Sequence, residues 1–279
     1  MSRNLHKYYY KDYFGENIDP EDRNNQRRIN ASLNWMNIKS ERNARILQER
    51  NTSLTKKGLL YKIGCPVDTD DKFELEIIYP GLVTGIGINH EATIEGEFKL
   101  GVHFDWTYGM PVVYGSSVKG VLKSAFKDGY VDNDLVRNAN AKIKNEADKL
   151  VPEWVGDEAN RNIIIRNIFE GKDAKGENLS IYKRDIFFDA VITKPDSKGR
   201  ILCSDSITPH GDNPLKNPIP ITFMKIAPGC TLEFRFKLTD FDLGEGKIFT
   251  AAQKKTLFVE ILKTVGIGAK TNVGYGQLK

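Results

Sequence analysis

The sequence predicts an α+β fold in which helices pack on one side of an antiparallel sheet. Three observations carry this. Segments 73–79 and 231–238 alternate apolar and polar residues, as half-buried strands do. Segments 116–127 and 247–265 show the apolar spacing of amphipathic helices and lie among strand-like stretches. No clear linker divides the 279 residues, so one large domain accounts for most of the chain.

Residues 1–72 read as an N-terminal extension, partly helical. It opens on an aromatic and basic cluster: His6, Lys7, Tyr8, Tyr9, Tyr10, Lys11, Tyr13 and Phe14. Such rings can stack on bases or fill a partner's groove, and they can equally dock on the protein's own core. Residues 20–57 hold few helix breakers. Leu33, Trp35 and Met36 supply an apolar face there, and Arg27, Arg28, Lys39, Arg42, Arg45 and Arg50 a solvated basic one.

The main domain runs from residue 73 to 279. Its first strand stops at Pro80-Gly81. Gly85-Ile86-Gly87 follows, but His90 stands where a dinucleotide fingerprint needs its third glycine. Residues 98–104 form another short strand. Gly115 then closes a strand-like run, and Ser116 or Ser117 is expected to cap a helix reaching about Lys127. Val118, Val121, Leu122 and Ala125 give that helix a buried stripe. A helix start with two hydroxyls and Lys119 suits an anion. Residues 132–178, helical and polar-rich, read as an insertion between core elements.

Residues 185–193 look like one apolar strand, turned by a loop at 195–199 into residues 201–202. Asp205 and His210 fall in a polar, proline-punctuated loop, where binding residues tend to sit. Strands 221–226 and 231–238 flank Pro228-Gly229. The last helix ends at Gly266, a natural C-cap, and leads to a last short strand.

Between that helix and that strand lies the most informative stretch. Gly266-Ile-Gly268 and Gly274-Tyr275-Gly276 are two Gly-x-Gly pairs five residues apart, with Lys270, Thr271 and Asn272 between them. Glycine permits positive φ and close approach of another chain. A cation and short polar groups between such hinges suit a contact with a phosphate backbone. The plainer alternative is a glycine-rich connection to an edge strand.

Composition bounds the function. Hydrophobic residues at 40% and charged ones at 28% describe a globular protein with a core. A net charge of +4 permits a nucleic-acid partner without requiring one. Cys65, Cys203 and Cys230 are too scattered for a zinc site and fit a reducing cytoplasm. No apolar run suggests a signal segment or a membrane span, so a cytoplasmic protein without a membrane partner is expected. Enzyme motifs fail. Gly268-Ala-Lys270-Thr271 resembles the end of a Walker A loop, but Ala269 and Thr264 stand where glycines are required, and the segment follows a helix instead of opening one. Gly115-Ser-Ser117-Val-Lys119 lacks the second glycine of a nucleophile elbow. Asp189, Asp205 and Asp212 are not paired by sequence for metal or acid–base work. No metal, cofactor or small-molecule substrate is expected.

The glycine loop resembles that of the RAMP superfamily of CRISPR proteins. Pro111 through Gly120, with Gly-Ser-Ser-x-Lys-Gly opening a helix, resembles the signature of its effector-complex subunits. Asp189-Ala, then Asp205 through Pro209-His210, then Pro220-Ile-Thr-Phe, is similar in order to the sixth subunit of type III-B (Cmr) complexes. The resemblance covers about residue 75 to the end. Lys123 stands where those subunits often carry arginine, and Gly211 where an aromatic is expected after His210. The resemblance implies an RRM-like, ferredoxin-like core and a non-catalytic subunit that caps the complex near the guide's 3′ end. Its partners would be guide RNA, target RNA and other Cmr subunits. The implied RNA-binding residues are Ser116, Ser117, Lys119, Lys123, Gly268, Lys270, Thr271, Asn272, Gly274 and Tyr275, with Asp205 and His210 in a loop of RNA or subunit contact. Two competing readings are a metal-independent RAMP endoribonuclease, with His210 as general base, and a subunit that touches only protein.

Overall fold

The computed structural model describes residues 4–13, 41–61, 63–64, 69–85, 97–99, 101–144, 146–208, 220–244 and 246–279. Its main sheet is antiparallel throughout. The strands are β1 (Lys72–Glu76), β2 (His103–Phe104), β3 (Pro111–Val113), β4 (Ile186–Phe187), β5 (Ala190–Lys194) and β8 (Thr231–Lys237), in the order β1-β8-β5-β3-β2, with β4 also paired to β8. Residues 277–279 add to the outer side of β1, where Glu76 and Lys279 exchange two backbone bonds of 3.0 Å. A separate hairpin is made by β6 (Leu202–Ile207) and β7 (Ile221–Ile226), and a short one by β9 (Phe241–Asp242) and β10 (Ile248–Phe249).

The helices are α1 (Leu5–Lys7), α2 (Glu41–Leu54), α3 (Gly115–Lys127), α4 (Asn133–Ala141), α5 (Glu158–Glu170) and α6 (Ala251–Val265). Reading β1, α3, β5, β8, α6 and residues 277–279 in chain order gives β-α-β-β-α-β. Their spatial order in the sheet, last strand, first, third, second, is ferredoxin-like. The two crossover helices share one face. Val118, Leu122, Ala125 and Phe126 of α3 and Leu257, Phe258, Ile261 and Leu262 of α6 are buried in one cluster with Val113, Ala190, Ile192, Phe234 and Phe236. Val112 and Val191, which alternate with those strand residues, point to the opposite face.

Local chemistry sets the boundaries. The last helix begins at Ala251, later than expected, because Thr250 and Gln253 form a capping box and Ile248–Phe249 are taken up by β10. The strand expected over 185–193 is interrupted. Phe188 still donates its N–H to Arg235 (3.0 Å), but Asp189 turns its carboxylate to the N–H of Gly115 (2.7 Å) at the start of α3. Ser116 and Ser117 therefore do not cap that helix. Tyr114 is the N-cap residue, without a side-chain bond, and both serines lie inside the first turn. The segment 132–178 shares the same hydrophobic cluster through Leu135, Val136, Ile164, Ile168 and Phe169.

The N-terminal aromatic cluster is divided over its described part: Tyr9 and Tyr13 pack inward, while Tyr10 is exposed. Leu5, Tyr9 and Tyr13 are fully buried. The Tyr9 hydroxyl donates to the Phe98 carbonyl (2.8 Å), and the Tyr13 hydroxyl accepts the Phe98 N–H (2.8 Å). Of the helix expected over 20–57, residues 20–40 lie outside the described residues. Arg50, expected in solvent, instead donates to the Tyr13 carbonyl. Phe14 also lies outside the described residues.

Candidate nucleic-acid interface

The glycine loop begins where α6 ends. Gly266 has φ 71° and donates its N–H to Leu262. Two backbone bonds then lock the loop against residues 81–83: Ala269 to Val83 (2.7 Å) and Gly276 to Gly81 (2.8 Å). The glycines serve this contact. A Cβ on Gly268 would lie 2.4 Å from the Val83 carbonyl, and one on Gly276 would lie 1.8 Å from that of Ile267. The close approach is thus to the chain's own backbone. Lys270, Thr271 and Asn272 form the outer turn, with Thr271–Val273 in a single 3-10 turn, Asn272 exposed and Val273 61% exposed. Lys270 takes a left-handed conformation, φ 61° and ψ 32°, the one non-glycine residue among those described with positive φ.

Tyr275 faces inward. Its ring packs on Val83 and Phe223, and it is 7% exposed. Its hydroxyl donates to Asp205 (2.6 Å), and Lys225 both pairs with Asp205 and sits 5.3 Å above the ring. Burial, then the Asp205 carboxylate, raise the phenol's pKa. Burial disfavours the charged form of Asp205, but the bonds from Lys225, Tyr275 and the Ser206 N–H outweigh it and hold the carboxyl below its usual range. Asp205 is not in a loop, as the sequence suggests, but inside β6 opposite Phe223. Tyr275, Asp205 and Lys225 join the hairpin to the glycine loop. The sequence does not expose Lys225's part, because its pairing with Asp205 depends on the register of β6 against β7. His210 lies outside the described residues.

The second segment starts at Tyr114. Lys119 lies 5.8 Å from the Phe187 ring and makes no salt bridge among the described residues. Lys123 is held by Glu170 of α5 at 3.0 Å. The backbone N–H of Gly115 is already occupied by Asp189, so the helix start presents a carboxylate of its own where the sequence suggests an open anion site.

A short bridge connects the two segments. Val83 holds the glycine loop, and Thr84 donates its N–H to Gly101 (2.9 Å) while its hydroxyl accepts the His103 N–H (2.6 Å). The His103 ring stacks on Tyr114 at 4.7 Å, and Tyr114 precedes α3. Burial lowers the pKa of His103, which favours the neutral ring in this stack. Sequence spacing gives no sign of this bridge, since its residues are scattered over 83–114. Among the described residues no group of three or more His, Cys, Asp or Glu is arranged to hold a metal ion. None of their helices is long and apolar enough to cross a membrane.

A ferredoxin-like sheet with a glycine loop between its last helix and last strand defines the class, and the family model agrees: the RAMP superfamily matches residues 74–279. The chain belongs to that superfamily. It is similar to the CRISPR system Cmr subunit Cmr6 of Pyrococcus furiosus, with 25% identity over 238 residues, 71% of this chain and 64% of the relative. The chain thus spans less than two thirds of that relative's length. Among solved structures it matches the crystal structure of Cmr6 from Pyrococcus furiosus, with 18% identity and a TM-score of 0.33, over 75% of this chain and 98% of that one. It also matches a chain of the type III-B Cmr-beta complex bound to cognate target RNA, with 18% identity and a TM-score of 0.44, over 75% of this chain and 57% of that one.

Proposed function

We propose that this chain is a non-catalytic RNA-binding subunit of a type III-B CRISPR effector complex, which caps the complex near the guide's 3′ end and holds guide and target RNA. Other subunits of that complex are its protein partners. The observation that carries the reading is the bridge from the glycine loop to α3. In this reading Lys270, Thr271 and Asn272 form one wall of an RNA groove and Lys119, with Ser116 and Ser117, the other. Gly268 and Gly274 set the loop's course, and Tyr275 supports it from behind. Such a wall reads backbone and shape, with base pairing supplying sequence. Lys123, already paired with Glu170, contributes less than Lys119.

The test is guide-RNA binding by Lys119→Ala, Lys270→Ala and the double variant at several salt concentrations. Each lost phosphate contact is expected to weaken binding and to lower the salt slope by about one. Unchanged affinity and slope in the double variant would sink the proposal. A parallel incubation with repeat RNA in chelator covers the enzyme reading. Site-specific cleavage that disappears in His210→Ala would replace the proposed role with a metal-independent endoribonuclease.

A further inference from the structure

On the side of the sheet away from α3 and α6 lies a cavity of about 440 Å³. Val112 of β3 and Val191 of β5, paired across the ladder, are in its lining, together with Asp105, Tyr108, Asp189 and Arg235. Tyr108 joins it to an aromatic patch. Trp106 is 76% exposed, Tyr61 46%, Tyr108 44% and Tyr10 41%. Tyr61 stacks on Tyr108 at 6.1 Å, and His6 lies between Trp106 (4.5 Å) and Tyr10 (4.6 Å). Aromatic groups gathered on a surface in this way mark a site of interaction, since aromatics are enriched where partners dock.

The charges beneath the patch decide what docks. Arg235 is engaged through each of its three nitrogens: it donates to Glu233 (2.7 Å) and to the carbonyls of Ile63 (2.8 Å) and Gly64 (3.1 Å). Asp105 uses Oδ1 to accept the N–H groups of Thr107 (2.9 Å) and Tyr108 (2.5 Å), and Asp189 uses Oδ1 for Gly115 (2.7 Å). The second oxygen of each carboxylate accepts no hydrogen bond from the described residues. Glu233 pairs with the Arg235 guanidinium, which leaves Asp105 and Asp189, the two carboxylates of the lining, to make the site negative, so it repels a phosphodiester. A guanidinium meets every feature. It is planar, permanently charged, stacks on aromatic faces and pairs with carboxylate oxygens in a fork.

We propose that this cavity receives an arginine side chain from a segment of a partner protein, stacked on Tyr108 and paired with the open oxygens of Asp105 and Asp189. Methyl-labelled valine in the full chain gives the readout, through Val112 and Val191. Titration with N-acetylarginine amide is expected to shift both resonances with a Kd of about 1 mM, as befits a small ligand. Asp105→Asn keeps the turn's Oδ1 acceptor and removes the charge, and Tyr108→Leu removes the ring. Each is expected to weaken the arginine probe at least about fivefold, while melting temperature and guide-RNA binding stay unchanged. N-acetyllysine amide, a point charge without the planar fork, should bind at least about fivefold more weakly than the arginine probe. The proposal is overturned by the absence of a saturable shift, by equal binding of the lysine probe, by tighter binding of guanosine monophosphate, or by Asp105→Asn that leaves the arginine probe unaffected. Loss of guide-RNA binding in Asp105→Asn would also overturn it, by making the patch part of the RNA surface.

Discussion

Lys270 meets two demands that separate at the level of one residue. Its charge is what the RNA reading uses, but its backbone sits in the left-handed region, where its carbonyl accepts the N–H groups of Val273 (3.1 Å) and Tyr275 (3.3 Å). A Cβ in that region costs about 1–2 kcal/mol, which glycine avoids. Lys270→Gly and Lys270→Ala remove the same charge and differ in this strain. The glycine variant is expected to be more stable than the alanine variant by about 1 kcal/mol, read from urea unfolding. Both should show the same deficit in RNA binding. Equal stability of the two would mean that the turn does not hold residue 270 at positive φ, and a larger RNA deficit in only one would mean that loop shape matters more than charge.

At the scale of elements, a buried ion pair fastens α6 to the sheet. Lys254 and Asp185 are 2.7 Å apart with side chains 0% and 1% exposed. Lys254 also donates to the Thr239 carbonyl (2.8 Å), and Asp185 accepts the Thr239 N–H (2.7 Å). Burial lowers the Lys254 pKa against the opposing pull of Asp185. Lys254→Met fills the volume but strands the carboxylate, so a loss of about 3–5 kcal/mol is expected in chemical denaturation. A loss under about 1 kcal/mol would show that Asp185 finds another partner or takes up a proton. This pair also shows where sequence reasoning stops. The amphipathic period of 251–265 is legible, because Leu257, Phe258, Ile261 and Leu262 recur at helical spacing. A lysine on the buried side breaks that pattern, and its partner lies 69 positions away. The same applies to Asp189, which reads as a member of a continuous strand until the position of α3 is known. The glycine loop is legible because glycine itself is the signal. The roles of Tyr275, Asp205 and Lys225 depend on the register of two strands, which the alternation of residues 202–207 is too weak to set.

For the whole molecule, acid is the condition that tests how these pieces are held together. Asp205 joins the β6–β7 hairpin to the glycine loop, and Asp196 closes the turn that leads from β5 to β6. Burial alone would raise both pKa values. In Asp196 the N–H groups of Arg200 (2.7 Å) and Lys198 (2.9 Å) and the Arg200 guanidinium (2.8 Å) overcome it, and the carboxyl lies below its usual range. Asp205 is depressed in the same direction by Lys225 and Tyr275. A carboxyl whose folded pKa lies below the unfolded value of about 3.9 adds stability that is fully present above that value. The contribution is lost as pH falls through the folded pKa, because protonation is then easier in the unfolded chain. Stability is therefore expected to be insensitive to these two groups above about pH 5 and to decline below about pH 4. Asp205→Asn removes one of them and leaves Lys225, 6% exposed, without its counter-charge. The variant should be less stable than the parent at neutral pH, and its further loss on acidification should be shallower by one titrating group, so that the two curves converge as pH falls. Urea unfolding of both proteins from neutral pH to about pH 3 measures this. Parallel curves would mean that Asp205 carries no depressed pKa, so that its bonds to Lys225 and Tyr275 do not favour the charged carboxylate.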